Sequence, residues 1–318
     1  MEYGLGIPSR GPMASAEAIA TIARRAEALG FTHLAVSDHI IVPRSIASRY
    51  PYSGDGQWPG KTGGECLEQL TLLAWLAAVT EKARLLPSVM VVPHRAPVHT
   101  AKILATIDQL SAGRVTLGVG AGWMEEEFKA LGAPPFPARG KVTDEYLEAF
   151  RVLWTEPHPA YSGEFVQFDD VSFYPKPVQQ PGPPIWVGGE SKAAMRRTVR
   201  LGDAWYPIGS NPRHPLNTVA RLRAGIETLH RLSEEHGRDP STITLTYWAN
   251  WFDESAGEIR DDGERRLFTG DAARIAADIA ALGELGVTHQ LFNFQRKDLA
   301  STIAAMEHFV AEILPRVG

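Results

Sequence analysis

The sequence predicts a (β/α)8 barrel, an α/β fold of eight parallel strands alternating with helices, and three observations predict it. Strand-like and helix-like patterns alternate eight times along the chain, which calls for parallel strands joined by right-handed crossovers. The length of 318 residues suits eight such units as one domain over 1–318, with long insertions after strands two, four and seven. Unusual residues also recur at several strand ends. An open doubly wound sheet with a cap, the rival architecture, would gather them at one switch point.

The elements follow in order. Residues 2–7 read as a strand stopped by Pro8, and 14–29 as a helix ended by Gly30. Strand 33–37 ends in Asp38 and His39. Residues 40–64 are rich in Gly, Pro, Tyr and Arg and too long for a plain connection, so a functional loop is expected. Helix 65–80, strand 84–92 and helix 97–110 follow, the last with proline in its first turn. Strand 114–119 runs into Gly118, Gly120 and Gly122, and Trp123, Met124 and three glutamates then open a helix. Helix 140–154 precedes an excursion with seven prolines between Pro157 and Pro184, expected to hold a small hairpin. Strand 185–187 ends in Gly188 and Gly189. Helix 191–201, strand 203–206, helix 215–236, strand 242–250, helix 272–282, strand 287–292 and helix 299–314 complete the pattern.

Composition narrows the function. The chain is 44% hydrophobic and 22% charged, with a net charge of −5; no basic footprint for nucleic acid or an anionic membrane is expected. The single cysteine, Cys66, excludes an internal disulfide framework, reads as a small helix residue and fits a reducing cytoplasm. There is no signal-peptide pattern and no apolar run of membrane-spanning length. A cytoplasmic protein with a small-molecule substrate is expected. The helices at 65–80 and 97–110 are apolar on more than one face, which suggests a homodimer.

Asp38-His39 puts an acid beside an imidazole, a residue type suited to moving protons near neutrality. Gly120, Ala121 and Gly122 would either let a ligand approach the backbone or simply form a tight turn. The third glycine of a dinucleotide fingerprint would fall on Trp123, so that motif is absent. Gly188 and Gly189, followed by Ser191 and a helix, offer free N–H groups of the kind that bind phosphate, although a plain turn looks the same. His94, Arg95 and His99 are read as non-metal residues, and no metal site is expected. No zinc-hydrolase or serine-hydrolase motif occurs. Trp58, Trp123, Tyr50, Tyr52 and Phe173 could line an apolar mouth.

Together these stretches resemble the bacterial luciferase-like superfamily, and within it the deazaflavin (coenzyme F420)-dependent oxidoreductases. The resemblance is carried by VSDHI at 36–40, the run AKILATIDQLSAGRVTLGVGAGWMEEEFKALG from Ala101, PPIWVGGES from Pro183 and RLGDAWYP from Arg200. It implies an insertion-bearing barrel, usually dimeric, with a flavin or deazaflavin at the carboxyl face. His39 would be catalytic and handle a proton beside the reactive carbon, with Asp38 helping to place the cofactor. A non-prolyl cis peptide at Ser88-Val89 would lie behind the ring. Ala121, Gly122 and Glu126 would line ring and side chain, with Gly120 in the same turn, and Gly188, Gly189 and Ser191 would hold the phosphate. The sugar-phosphate dehydrogenases of this superfamily carry a glutamate directly after the glycine motif, where this chain has Trp123, so a less polar substrate is expected. The alternatives are an FMN-dependent two-component monooxygenase fed by a partner reductase, and a non-catalytic flavin- or deazaflavin-binding protein.

Overall fold

The β-rich runs pair edge to edge into a ring. The computed structural model describes residues 1–61, 65–254 and 257–318; the last three positions of the loop expected at 40–64, and residues 255 and 256 in the insertion after strand seven, lie outside them. Along the chain come β1 (Glu2–Gly6), α1 (Ala16–Ala28), β2 (His33–Val36), α2 (Gln69–Val79), β3 (Arg84–Pro87), β4 (Met90–Val91), α3 (Pro97–Leu110), β5 (Leu117–Gly120), α4 (Glu125–Leu131) and α5 (Arg139–Thr155). Then follow β6 (Tyr161–Ser162), β7 (Gln167–Phe168), β8 (Ile185–Gly188), α6 (Lys192–Leu201), β9 (Ala204–Tyr206), α7 (Val219–Glu235), β10 (Thr244–Ala249), α8 (Ala272–Glu284), β11 (Val287–Phe292) and α9 (Leu299–His308).

The main sheet runs β3-β2-β1-β11-β10-β9-β8-β5-β4, and its paired strands are parallel. The strand expected at 84–92 is split: β3 and β4 are its two halves, separated by a cis peptide between Ser88 and Val89. Eight barrel strands therefore result. The ring closes where Leu85 pairs with Val115; Leu85 N–H donates to the Arg114 carbonyl at 2.8 Å and the Leu85 carbonyl accepts from Thr116 N–H at 3.0 Å. Arg114, expected in the strand itself, turns its guanidinium to the carbonyls of Ala77, Thr80 and Ala83 at and just beyond the end of α2. The insertions follow strands two, four and seven, and the expected hairpin is β6 with β7.

Side chains alternate across each strand, and this divides the core in two. Outward residues such as Leu34, Val36, Leu85, Ile185 and Val187 pack against the helices. Inward residues form a separate apolar plug: Ala35, Leu86, Trp186, Ala204, Tyr206 and Leu291. The plug seals the middle of the barrel and leaves a polar end on either side.

Local chemistry sets the helix starts. Ser15 caps α1 by accepting from Ala18 N–H, and Thr218 caps α7 by accepting from Arg221 N–H, so α7 starts later than 215. Glu68 caps α2, which leaves Cys66 before that helix rather than inside it. The all-round apolarity of α2 is taken up within the chain, against α1, α3 and β3.

Candidate active site

The carboxyl ends of the strands open into a cavity of about 410 Å³, within the ~300–1,000 Å³ range usual for ligand pockets. Its floor and walls are the upper inward positions: Gly6, Ala35, Ser37, Ser88, Gly188 and Tyr206. Trp248, Asn250 and Asn293 add a polar and aromatic side, while Tyr50, Tyr52 and Pro59 of the long loop form the roof. Ser88 and Tyr206 share a hydroxyl hydrogen bond of 2.9 Å; burial pushes the Tyr206 phenol up, partly offset by that bond. Asn250 donates to Ser210 at 3.1 Å, while its side-chain oxygen is buried without a protein partner. Arg10, over the Trp58 ring at 5.1 Å, is the cation among the lining residues.

His39 leaves β2 at this same end but does not line the cavity. It is 8% exposed, and the Trp58 ring lies against it, centroids 4.4 Å apart. Its Nδ1 is 2.8 Å from an oxygen of Glu127, which is 1% exposed. The other Glu127 oxygen accepts from the N–H groups of Ile40 at 2.8 Å and Ile41 at 3.3 Å. Burial alone would raise the Glu127 pKa, but hydrogen bonding and charge from His39, helped by His94 and the Ile40 amide, hold it below the usual range. An ionised carboxylate only accepts, so Nδ1 of His39 carries the proton and Nε2 is left free to exchange one.

Asp38 does not face the cavity either. Its oxygens take both ends of the Arg95 guanidinium at 2.8 Å and the Val91 N–H at 2.8 Å. Arg95 continues to Glu68 at 2.7 Å. Burial would lower the Arg95 pKa, but Asp38 and Glu68 raise it. Asp38 thus ties the end of β2 to the segment that follows the cis peptide.

The glycines of β5 and of the turn after it answer to packing. A Cβ on Gly118 would lie 2.1 Å from the Pro87 carbonyl oxygen, and one on Gly120 would lie 2.7 Å from a Val89 methyl. One on Gly188 would come within 2.9 Å of the other Val89 methyl. Val89 therefore fills the space between Gly120 and Gly188. Gly122 has φ +85°, and Phe128 and Val91 crowd it at 2.7 Å. Of the expected ligand glycines, Gly188 and Gly189 reach the cavity, whereas Gly120, Ala121 and Gly122 do not line it.

Glu126 is occupied elsewhere: one oxygen accepts from the N–H groups of Ala47 and Ser48 at 2.8 and 3.0 Å. It clamps the long loop. Ser191 caps α6 by accepting from Ala194 N–H at 3.2 Å. Phe173, expected at the mouth, is instead buried in the outer core.

Sequence reading missed the division of labour among Glu125, Glu126 and Glu127. Successive helix positions turn by about 100°, so three adjacent glutamates cannot share one face. It also missed Glu190, which is 4% exposed and accepts from Ile208 N–H and the Asn211 amide, both at 2.8 Å. Burial pushes Glu190 up to about 7, against those hydrogen bonds.

Residues 1–247 match the luciferase-like monooxygenase family model. The chain belongs to that family. The uncharacterized protein Rv0953c of Mycobacterium tuberculosis (strain ATCC 25618 / H37Rv) is 31% identical over 295 residues, 92% of this chain and 93% of the relative. The FMNH(2)-dependent dimethylsulfone monooxygenase of Pseudomonas putida is 32% identical over 172 residues, 54% of this chain and 45% of that protein. Among solved structures, an F420-dependent secondary alcohol dehydrogenase in complex with an F420-acetone adduct superposes with a TM-score of 0.73 at 20% identity, over the whole of both chains. Members and structural neighbours thus include both F420- and FMN-dependent proteins. No helix among the described residues is long and apolar enough to cross a membrane.

Proposed function

We propose that this luciferase-like family member is a coenzyme F420-dependent oxidoreductase that moves a hydride between the deazaflavin and a small organic substrate at the barrel mouth. The observation that carries this reading is the buried His39–Glu127 pair. Hydride exchange with a carbonyl or alcohol needs a proton carrier, and an imidazole held in one tautomer by a carboxylate is such a carrier. The bound deazaflavin supplies the two-electron step.

The cavity fits a polar planar ring. Ser88, Val89, Gly188, Gly189 and Tyr206 make a wall with hydroxyls and exposed backbone, and the unpartnered Asn250 oxygen offers an acceptor for a ring N–H. In this reading the cofactor-facing roles expected of Asp38, Gly120, Ala121, Gly122 and Glu126 become supporting ones. Asp38 and the glycines hold the Val89 wall, and Glu126 holds the roof. Ser191 presents the α6 terminus to a phosphate. Trp58 lies against His39 at 4.4 Å and would have to move for Nε2 to give or take a proton, while Tyr50 and Tyr52 exclude water. Two copies pair through the outer face of α3, where Val98 and Leu110 are exposed.

The test is equilibrium binding of reduced F420 and of FMN to the purified protein. Micromolar F420 binding with weaker FMN binding is expected; tight FMN binding with none for F420 would overturn the assignment. The similarity to the FMNH(2)-dependent relative favours a second reading, a two-component monooxygenase supplied by a partner reductase. Oxygen consumption dependent on FMN and a reductase is its signature.

A further inference from the structure

The barrel has a second polar end, below the plug, that the family chemistry does not use. Glu2 opens β1, His33 opens β2, and His289 lies in the first half of β11, in register with Glu2. All three are therefore at the amino-terminal end, opposite the mouth. A Glu2 oxygen is 3.4 Å from His289 Nε2 and 3.7 Å from His33 Nδ1. One nitrogen from each imidazole and one Glu2 oxygen all lie within 4.8 Å of one another.

The protonation of this cluster follows from its neighbours. Each histidine is preceded by a threonine whose hydroxyl meets its Nδ1, Thr32 at 2.9 Å and Thr288 at 2.8 Å. Each hydroxyl can also donate to a backbone carbonyl, of Tyr3 at 3.2 Å and of Leu245 at 3.3 Å respectively. In that arrangement the oxygen accepts from Nδ1–H and Nε2 keeps a lone pair, and on His289 Nε2 is the nitrogen 3.4 Å from Glu2. His33, 1% exposed, has its Nε2 buried with no partner. The His289 Nε2 lone pair and the Glu2 carboxylate therefore face each other, with a His33 nitrogen within 4.8 Å of both.

We propose that Glu2, His33 and His289 form a divalent transition-metal site, suited to Zn²⁺, at the amino-terminal end of the barrel. Two neutral imidazoles and one carboxylate are a common zinc donor set. Donors on a tetrahedral zinc at ~2.0–2.1 Å stand roughly 3.3–3.5 Å apart, so the 3.4 Å Glu2–His289 separation already fits while the widest, up to 4.8 Å, must close as the metal enters. The two threonines fix ring orientation from outside, as partners of ligating histidines do. Glu2, 48% exposed at its side chain, leaves room for water as a fourth ligand. Gly4 keeps His33 in place, since a Cβ there would lie 2.8 Å from the His33 Cβ. The nearby Arg84 guanidinium and the terminal ammonium oppose a cation. Micromolar rather than nanomolar affinity is therefore expected.

The test is calorimetric titration of chelator-treated, untagged full-length protein with ZnCl₂ alone, beside Glu2→Gln and His289→Gln. One saturable site is expected, weakened at least about tenfold in each variant, with the mouth's cofactor affinity unchanged in all three proteins. Glu2→Gln alters an exposed side chain and keeps the comparison valid if His289→Gln folds poorly. No saturable binding at millimolar zinc, or binding that Glu2→Gln leaves intact, would overturn the proposal, the latter by placing the metal elsewhere, for example at Cys66.

Discussion

Three consecutive glutamates on α4 offer a graded test of how the long loop is held. Glu125 makes an exposed pair with Lys129 at 2.8 Å. Such i,i+4 pairs contribute about 0.3–0.5 kcal/mol, so Glu125→Ala should be nearly silent. Glu126→Ala strips the acceptor from two loop amides that water can reach, at a cost of about 1–2 kcal/mol. Glu127→Ala leaves the His39 Nδ1–H and the amides of Ile40 and Ile41 facing a site that is 1% exposed. Each stranded buried donor costs about 1–3 kcal/mol, and partial relaxation brings the total to roughly 3–5 kcal/mol. With an unfolding entropy of ~2.1 cal/mol/K per residue, that is a fall in Tm of about 5–7 °C. The assay is thermal unfolding with hydrogen exchange at Ile40 and Ala47. Faster exchange at Ile40 should follow Glu127→Ala, and at Ala47 Glu126→Ala. The lowered Glu127 pKa adds a pH signature. Its contribution is full above the unfolded value of about 4.3 and is lost as pH falls through the lower native value. Equal losses in all three variants, or less than about 1 kcal/mol for Glu127→Ala, would refute this account.

Other substitutions probe the wall, the roof and a buried acid. Gly118→Ala and Gly120→Ala should destabilise by about 1–3 kcal/mol or more, with Gly118→Ala worse because it meets a backbone oxygen rather than a methyl. Chemical denaturation measures both, and a neutral Gly118→Ala would contradict the close contact. Trp58→Ala should uncover His39, so carbethoxylation at that residue, read by peptide mass spectrometry, should speed up at least about tenfold, which corresponds to about 1.4 kcal/mol of protection removed; an unchanged rate would show that Trp58 does not cover the ring. Glu190, raised to about 7, favours the native state when protonated. Its contribution is present below the unfolded value and is lost as pH rises through about 7. The wild-type Tm should therefore decline from pH 6 to pH 8, and Glu190→Gln should flatten that slope; a slope unchanged in the variant would assign the decline to another group.

The barrel was legible because period-two and period-3.6 patterns are local and repeat along the chain. Boundaries drifted where a tertiary contact decides them, as with Arg114, which leaves its strand to cap α2. The two sides of Val89 show the same limit at the site. From one strand, Gly120 looks like room for a ligand, but the methyls that claim the room come from another strand. His39 stood out by residue type and place. Its partner Glu127 did not, because the two lie 88 positions apart in sequence and are joined only by the closure of the barrel. The same applies to Glu2, His33 and His289, three single residues on three strands with no spacing motif to reveal them.

The apolar plug explains how one barrel can carry two polar ends without conflict. Trp186 spans its lower face, with its ring 5.0 Å from both His33 and His289. Its upper face is Tyr206, whose ring packs on Trp186 at 5.5 Å and whose hydroxyl reaches Ser88 in the cavity. A single aromatic step therefore separates the lower histidines from the mouth, and it contains no titratable relay other than the Tyr206 phenol, which burial keeps protonated. The plug side chains therefore offer no proton path between the two ends. A change at Glu2 should alter metal binding without altering the pH dependence of any reaction at the mouth, whereas a change at Glu127 should do the reverse.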